Sequence, residues 1–432
     1  VRARQAASLA LVTGNVSRSR PTIAIVQSRM KTLLISPYSP YPLVFGGAIR
    51  VYHVLKMFAA FSDVTLLGYR TWQDEGSADE HLRSLCARVA MLDGPPSRVQ
   101  PKWLLQARGM FGVRPFQYHA FYSPAFQLLI DQALRAERYD CIVMEQSQMA
   151  YFRLRQPGAL HILDLHNIEH ELLARRAIVQ RNLARRLALA LEALKFRRDE
   201  QAIYRQADLV FTPSERERAL LAALPGMPRV ETLPNSIDTD YFALRQADPA
   251  ANELVFVGSS HVDANRDAIN YFVQQIFPLI EQRVPDVTLS IVGGDPPAEI
   301  RAYSERPGIT VTGFVADVRA YMARARVMVV PIRSGGGTRL KILESMSFGL
   351  PVVATTIGAE GIDVMHEREL LLADDPPAFA AAVERLLTDA TLRRRLITNG
   401  RKLVEESYSW QAVGRRLQDH LLALGQHEWS VN

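Results

Sequence analysis

Short β-branched apolar runs punctuate the chain, with longer amphipathic stretches between them. In the first half they fall at 32–35, 64–67, 141–144, 162–165 and 209–211, and in the second at 254–257, 287–292, 309–311 and 327–330. Runs of this length read as buried strands, and the stretches between them as helices. Strand–helix alternation in both halves predicts an α/β protein of two doubly wound, Rossmann-like domains facing a cleft. One predicted helical segment, 175–198, is ambiguous. Leu183, Leu187, Leu191 and Leu194 recur there among Arg175, Arg176, Arg181, Arg185, Arg186, Lys195, Arg197 and Arg198. Either the leucines pack on a sheet and the basic side is solvated, or the segment is an interfacial surface for anionic lipid.

One strand–loop–helix–strand unit concentrates the chemistry. The run at 327–330, broken by Pro331, leads into Ser334-Gly335-Gly336-Gly337-Thr338-Arg339. A helix is predicted from about Thr338 to Phe348, stopped by Gly349 ahead of Pro351. A glycine loop that opens a helix turns backbone N–H groups outward at the positive end of the helix dipole, which makes an anion site. Arg339 and Lys341 add cationic charge in a first turn where the dipole alone favours acids, so a bound phosphate is their natural partner. Glu344 follows about one and a half turns later, where a carboxylate takes ribose hydroxyls. The competing reading is a tight turn on a solvated helix, with Glu344 paired to Arg339 or Lys341. Neither the P-loop spacing nor Gly-x-Gly-x-x-Gly is present, which disfavours an NAD-dependent oxidoreductase.

Composition narrows the setting. A length of 432 residues, 48% apolar and 22% charged, suits two soluble domains of ordinary size. No run approaches the roughly 18 apolar residues that span a bilayer. Cys86 and Cys141 stand far apart and outside any CxxC, so neither a disulfide framework nor a zinc site is indicated, in keeping with a reducing cytosol. The net charge of +6 fits anionic small molecules or a phospholipid surface as well as nucleic acid. Residues 1–29, rich in Arg, Ser and Ala, read as an appendage, either disordered or an overlong start ahead of Met30-Lys31.

The stretch Gly-Thr-Arg-Leu-Lys-Ile-Leu-Glu-Ser-Met-Ser-Phe-Gly-Leu-Pro-Val-Val-Ala, 337–354, resembles the donor-binding signature of the retaining "group 1" (family 4) glycosyltransferases of the GT-B fold. By that resemblance Glu344 is the second of two signature glutamates and holds the nucleotide ribose, while the first falls on Gly336. Gly46-Gly47-Ala48, after a Pro-rich loop, resembles the family's N-terminal glycine loop. His166 stands where the family has a histidine lining the sugar pocket. Pro234-Asn235-Ser236-Ile237-Asp238 resembles the interdomain Pro-Asn-Gly-x-Asp segment, with Ser236 for Gly. After Gly258 many members carry an Arg and a Lys that clamp the diphosphate. Here Ser259 and Asn265 stand about there, beside Arg266, so the resemblance moves the clamp to Arg339 and Lys341. Thr312–Val315 resembles the loop that meets the base, and the helix after Tyr408-Ser409-Trp410 the family's crossing back to the first domain.

The resemblance implies an acceptor-side domain at 30–230, a nucleotide-sugar domain at 231–407 and a returning helix at 408–432. It implies transfer of a sugar from a nucleotide-diphosphate donor to a hydroxyl acceptor, in polysaccharide or glycolipid biosynthesis. His166, Arg339 and Lys341 are the expected catalytic residues. Gly46, Gly47, Gly258, Val315, Gly336, Gly337, Thr338 and Glu344 are the expected donor contacts. No cofactor and no metal are expected, and no nucleic-acid partner. The expected partners are the nucleotide sugar and a glycan or lipid-linked acceptor, in the cytoplasm or at the inner face of the cell membrane with peripheral contact to anionic lipid. A sugar-nucleotide epimerase of the same architecture and a non-catalytic sugar-nucleotide-binding subunit are the rival readings.

Overall fold

A computed structural model describes residues 29–424 apart from 44, 71–75, 181, 246–248 and 250. Residues 1–28 of the appendage expected at 1–29, and the residue Arg181, thus lie outside the described residues. Seven strands form the first sheet: β1 (Met30–Ser36), β2 (Ser62–Arg70), β3 (Arg88–Asp93), β4 (Cys141–Glu145), β5 (Leu160–Asp164), β6 (Leu209–Thr212) and β7 (Arg229–Thr232). Six form the second: β8 (Glu253–Val257), β9 (Thr288–Val292), β10 (Ile309–Gly313), β11 (Val327–Val330), β12 (Val352–Ala354) and β13 (Leu371–Leu372). All pairings are parallel, in the orders β3-β2-β1-β4-β5-β6-β7 and β10-β9-β8-β11-β12-β13. Parallel strands need crossovers, which here are mostly helical and cover both faces; hence the near-continuous apolar runs in the sequence.

Each sheet reverses strand order once, between β1 and β4 in the first and between β8 and β11 in the second. In open α/β sheets the crevice beyond the carboxyl ends at such a reversal is where ligands lodge. Both predicted glycine loops stand there: Gly46 and Gly47 follow β1, and Gly335–Gly337 follow β11. Two buried clusters sandwich the first sheet, and one large cluster surrounds the second. The helix Trp410–Leu422 sends Val413, Leu417 and Leu421 into the first domain's core beside Val54, Met57 and Phe58. Just before it, Ile237 and Ser409 form a parallel bridge, so the two crossings between domains run side by side.

The helix Leu183–Tyr204 corrects one sequence reading. Its inward face is Ala193, Phe196, Asp199, Glu200 and Ile203, whereas Leu183, Leu187, Leu191 and Leu194 are exposed. The leucine periodicity marks the outer side of the helix, because the inner side is set by the packing of its second half. Cys86 and Cys141 are buried free thiols.

Candidate functional site

On the first-domain side of the crevice, β4 and β5 end in a buried polar knot. Arg50, carried by the helix Gly46–Phe61, donates to both carboxylate oxygens of Asp164, with Nε 2.8 Å from Oδ2. Its Nη1 donates to Asn235 Oδ1 at 2.9 Å, tying the interdomain segment to this pair. Burial opposes the Arg50 charge, but Asp164 outweighs it and holds the guanidinium protonated. Burial and the charge of Asp164 push the neighbouring Glu145 carboxyl well up, which favours its neutral form.

His166 is locked from both sides. Gln148 donates to Gln146 Oε1, which turns the Gln146 amide nitrogen toward His166 Nδ1 at 2.8 Å and Tyr38 Oη at 2.7 Å. The Nδ1 atom therefore accepts, and Nε2–H donates to Glu145 Oε2 at 3.1 Å. Burial, with Arg50 close by, holds the imidazole well below its usual pKa, so the ring is neutral. Gln146 supports this at φ +67°, a conformation costly for a residue with a side chain. Glu145, Asp164 and His166 offer ligand atoms within 4.8 Å of one another. The bidentate Arg50 already occupies Asp164, so the donor set fits a guanidinium better than a divalent ion.

Across the crevice, the loop after β11 departs from its predicted form. The helix begins at Leu340 rather than about Thr338, and ends as expected with Gly349 at φ +77°. Gly335 and Gly337 take φ +114° and +75°, and Arg339 folds back to donate through Nη1 to the carbonyls of Gly336 and Gly337. That internal bond takes up the turn in which helix would otherwise start. The buried Arg339 Nη2 has no hydrogen-bond partner, nor has the hydroxyl of Thr338. Arg339 and Lys341 are therefore not the mobile surface charges of an open first turn.

Lys341 runs inward to Gly258. Its ammonium donates to Asn265 Oδ1 at 3.1 Å and sits 4.3 Å from the centre of the Phe256 ring. A Cβ on Gly258 would come within 2.7 Å of Nζ and 2.9 Å of Asn265 Nδ2, so a larger residue there would push the lysine and its acceptor aside. Burial, aided by Arg339, lowers the ammonium pKa to about 7. Glu344 lies partly exposed on the same helix with its carboxyl deep, raised by burial to about 7. Among the described residues neither Arg339, Lys341 nor Glu344 forms an ion pair, which removes the alternative in which Glu344 neutralises one of the cations. Arg266 points elsewhere, to Asp263 and Glu299.

The two sides meet. Cβ atoms built on Gly337 and Gly336 would stand 3.0 and 3.7 Å from Asn167 Oδ1, and one on Gly46 would stand 3.6 Å from Leu340 Cδ1. Farther along, Arg175 Nη1 bonds Glu360 at 2.9 Å and Arg216 Nε reaches the same carboxylate at 3.2 Å, a pair of ion bridges between domains. Asn167, Leu172, Arg175, Gly336, Gly337, Thr338 and Glu360 line a small cavity between them. Most of the expected site residues thus converge: Gly46, Gly336, Gly337 and Thr338 at the interface, with Gly258 and Lys341 just behind. Gly47 is packed against Tyr38, whose hydroxyl leaves no room for a Cβ there. Val315 lies past β10, two strands from β8, packed on the second domain's core. His166 is at the interface through its carbonyl, while its ring nitrogens are engaged inside the first domain.

Sequence reasoning stood Asn265 at the clamp position after Gly258 without giving it a role, and it missed Asn167, Gln146 and Arg50 as site residues. Asn167 is next to His166 and could have been read with it. The others are visible only through contacts distant in sequence.

Comparison with known proteins agrees with this architecture. A family model described as "Glycosyl transferase 4-like domain" matches residues 45–236, and one described as "Glycosyl transferases group 1" matches 251–389. An uncharacterized 44.6 kDa protein in the cps region of Klebsiella pneumoniae is 20% identical, over 89% of this chain and 97% of its own length. A GDP-mannose-dependent alpha-(1-6)-phosphatidylinositol monomannoside mannosyltransferase of Mycolicibacterium smegmatis is 28% identical, over 50% of this chain and 62% of its own length. Among solved structures, sucrose-phosphate synthase from Thermosynechococcus elongatus superposes with a TM-score of 0.67 at 22% identity, covering 92% of this chain and 99% of that one. Anabaena HepE in complex with UDP and glucose superposes with a TM-score of 0.60 at 15% identity, covering 91% and 100%. The fold is GT-B, and the chain belongs to the group 1 glycosyltransferases.

Proposed function

We propose that this enzyme transfers a glycosyl group from a nucleoside-diphosphate sugar to a hydroxyl of a glycan or lipid-linked acceptor, with retention of anomeric configuration. The observation that carries the reading is the pair of deep cations without an anionic partner, Arg339 and Lys341, beside a glycine loop at a helix N-terminus, with Arg339 Nη2 left without any acceptor. A diphosphate there would meet Arg339 Nη2, the Lys341 ammonium and backbone amides of the loop. These charges are preorganised where negative charge grows as the sugar–phosphate bond breaks, which is where electrostatic catalysis is strongest. Glu344, on the same helix, is placed to accept from ribose hydroxyls. The neutral His166 forms the wall opposite through its carbonyl, and Asn167 is the side chain nearest the glycine loop.

The reading needs no divalent ion, because Arg339, Lys341 and the helix dipole supply positive charge. Relatives named for phosphatidyl-myo-inositol and for capsular polysaccharide support a lipid-linked or polysaccharide acceptor in the same broad chemistry.

A thermal-shift screen against UDP, GDP, ADP and TDP sugars identifies the donor, since binding to the folded state alone stabilises it by mass action. Transfer is then followed with that donor, the product anomer being read by NMR with and without EDTA. Retention and unchanged rates in EDTA are expected. Inversion, or activity abolished by EDTA and restored by Mg²⁺ or Mn²⁺, refutes the corresponding part. Conversion of the donor with no acceptor present would favour an epimerase.

A further inference from the structure

The outward leucines of the helix Leu183–Tyr204 need an explanation that packing does not give. Leu183, Leu187, Leu191 and Leu194 are 78, 62, 49 and 63% exposed. At 3.6 residues per turn they fall within an arc of about 80°. Beside them the helix Lys102–Phe111 and the turn after it expose Trp103, Met110, Phe111 and Val113, Phe111 being 86% exposed. Lys195 joins the two helices by donating to the carbonyls of Met110 and Gly112 at 3.0 and 2.9 Å. Single exposed apolar residues are ordinary, but two adjoining helices that both turn large ones outward mark an interaction surface.

Its charge is one-sided. The sequence holds no acid between Asp93 and Asp131 and none between Glu171 and Glu192, while Arg108, Arg114, Arg176, Arg185 and Arg186 are exposed there. The nearest acids are spent: Glu192 accepts from the Phe116 amide, and buried Asp199 pairs with Arg114. Leucine and aromatic side chains on one face with arginines around them are the makeup of an interfacial helix on an anionic bilayer. The preceding helix, Glu169–Val179, lines the interdomain cavity with Leu172 and Arg175. One helical hairpin therefore reaches from the cleft to this outer face. Among the described residues no helix is long and apolar enough to cross a membrane, so attachment through this face would be peripheral.

We propose that these two helices dock the enzyme on an anionic lipid surface, inserting Phe111 and the leucine stripe and pairing the arginines with phosphate headgroups. The assignment does not depend on the transfer reaction, and its test reads binding alone. The full chain is sedimented with vesicles of phosphatidylcholine with and without phosphatidylglycerol, over a range of salt. Binding to the anionic vesicles only, weakening as salt rises, is expected. Replacing Arg185 and Arg186 together by Gln should weaken it about 25-fold, near fivefold for each charge. Leu187→Ser with Leu191→Ser should weaken it by roughly tenfold or more. These side chains are exposed, so far-UV circular dichroism and thermal unfolding should match the parent. No binding to anionic vesicles at low salt, or undiminished binding by both double variants, overturns the proposal. A dimer in sedimentation velocity that the leucine variant dissolves, without vesicle binding, overturns it in favour of a second copy of this chain.

Discussion

The two walls of the cleft each bury arginine, and they treat it differently. Arg50 is answered: both Asp164 oxygens and Asn235 accept from it, and its neighbours are satisfied except for one oxygen of Glu145. Arg339 has only backbone carbonyls of its own loop, keeps an orphaned nitrogen, and stands near a lysine whose charge burial disfavours. The first is a finished scaffold and the second an incomplete one. A buried cation without an anion is costly to the free protein, and that cost is withdrawn when a ligand supplies the anion.

Replacing Arg50 by Met tests the scaffold. It leaves Asp164 buried without its partner, so a stability loss of about 3–5 kcal/mol is expected in denaturant unfolding. A loss within experimental error would mean that the pair is not structural. On the other wall, Arg339→Ala and Lys341→Ala should each slow transfer by roughly 10²–10³-fold, with a double-mutant cycle that is not additive if both hold one diphosphate. Near-parental turnover in the double variant would leave the leaving group to backbone amides. Glu344→Ala should weaken nucleoside-diphosphate binding by about 1.5–3 kcal/mol, read by calorimetry. An unchanged dissociation constant removes it from the ribose.

Acidity sharpens the contrast further. Lys341 must be protonated and Glu344 ionised to serve a nucleotide, and both titrate near pH 7 in the free protein. Affinity should therefore peak near neutrality, with Lys341→Met flattening the alkaline limb and Glu344→Gln the acid one. The last effect is on stability. The Lys341 ammonium falls from 10.5 to about 7 on folding, so between those values the unfolded chain binds more protons. Ligand-free stability should rise with pH through that window, and below it the penalty is fully present. Lys341→Met should remove that slope and raise the ligand-free melting temperature at pH 7, by about 2–4 °C for each kcal/mol relieved.

The finished wall was the less legible in the sequence. Strands and both glycine loops could be read because apolar runs and glycine spacing are local signals. Lys341 and Glu344 could be singled out because their spacing on one helix is local too. The lock on His166 could not, since it joins Tyr38, Glu145, Gln146 and Gln148, which only the β1–β4–β5 pairing brings together. The orientation of the leucine stripe was undetermined for the opposite reason. Periodicity shows that a helix has two sides but not which one meets the core; Phe196 and Ile203, farther along, decide that.

The returning helix Trp410–Leu422 has a consequence for how the chain is made. Val413, Leu417 and Leu421 complete a core whose other members lie mostly before residue 234. A ribosome delivers the first domain's sheet long before it delivers that helix, so the seat stays uncovered while the whole second domain is synthesised. Apolar surface left open during synthesis invites aggregation or chaperone binding. The first domain should consequently be recovered poorly when expressed alone, and truncation before Trp410 should lower soluble yield far more than the loss of one short helix would suggest.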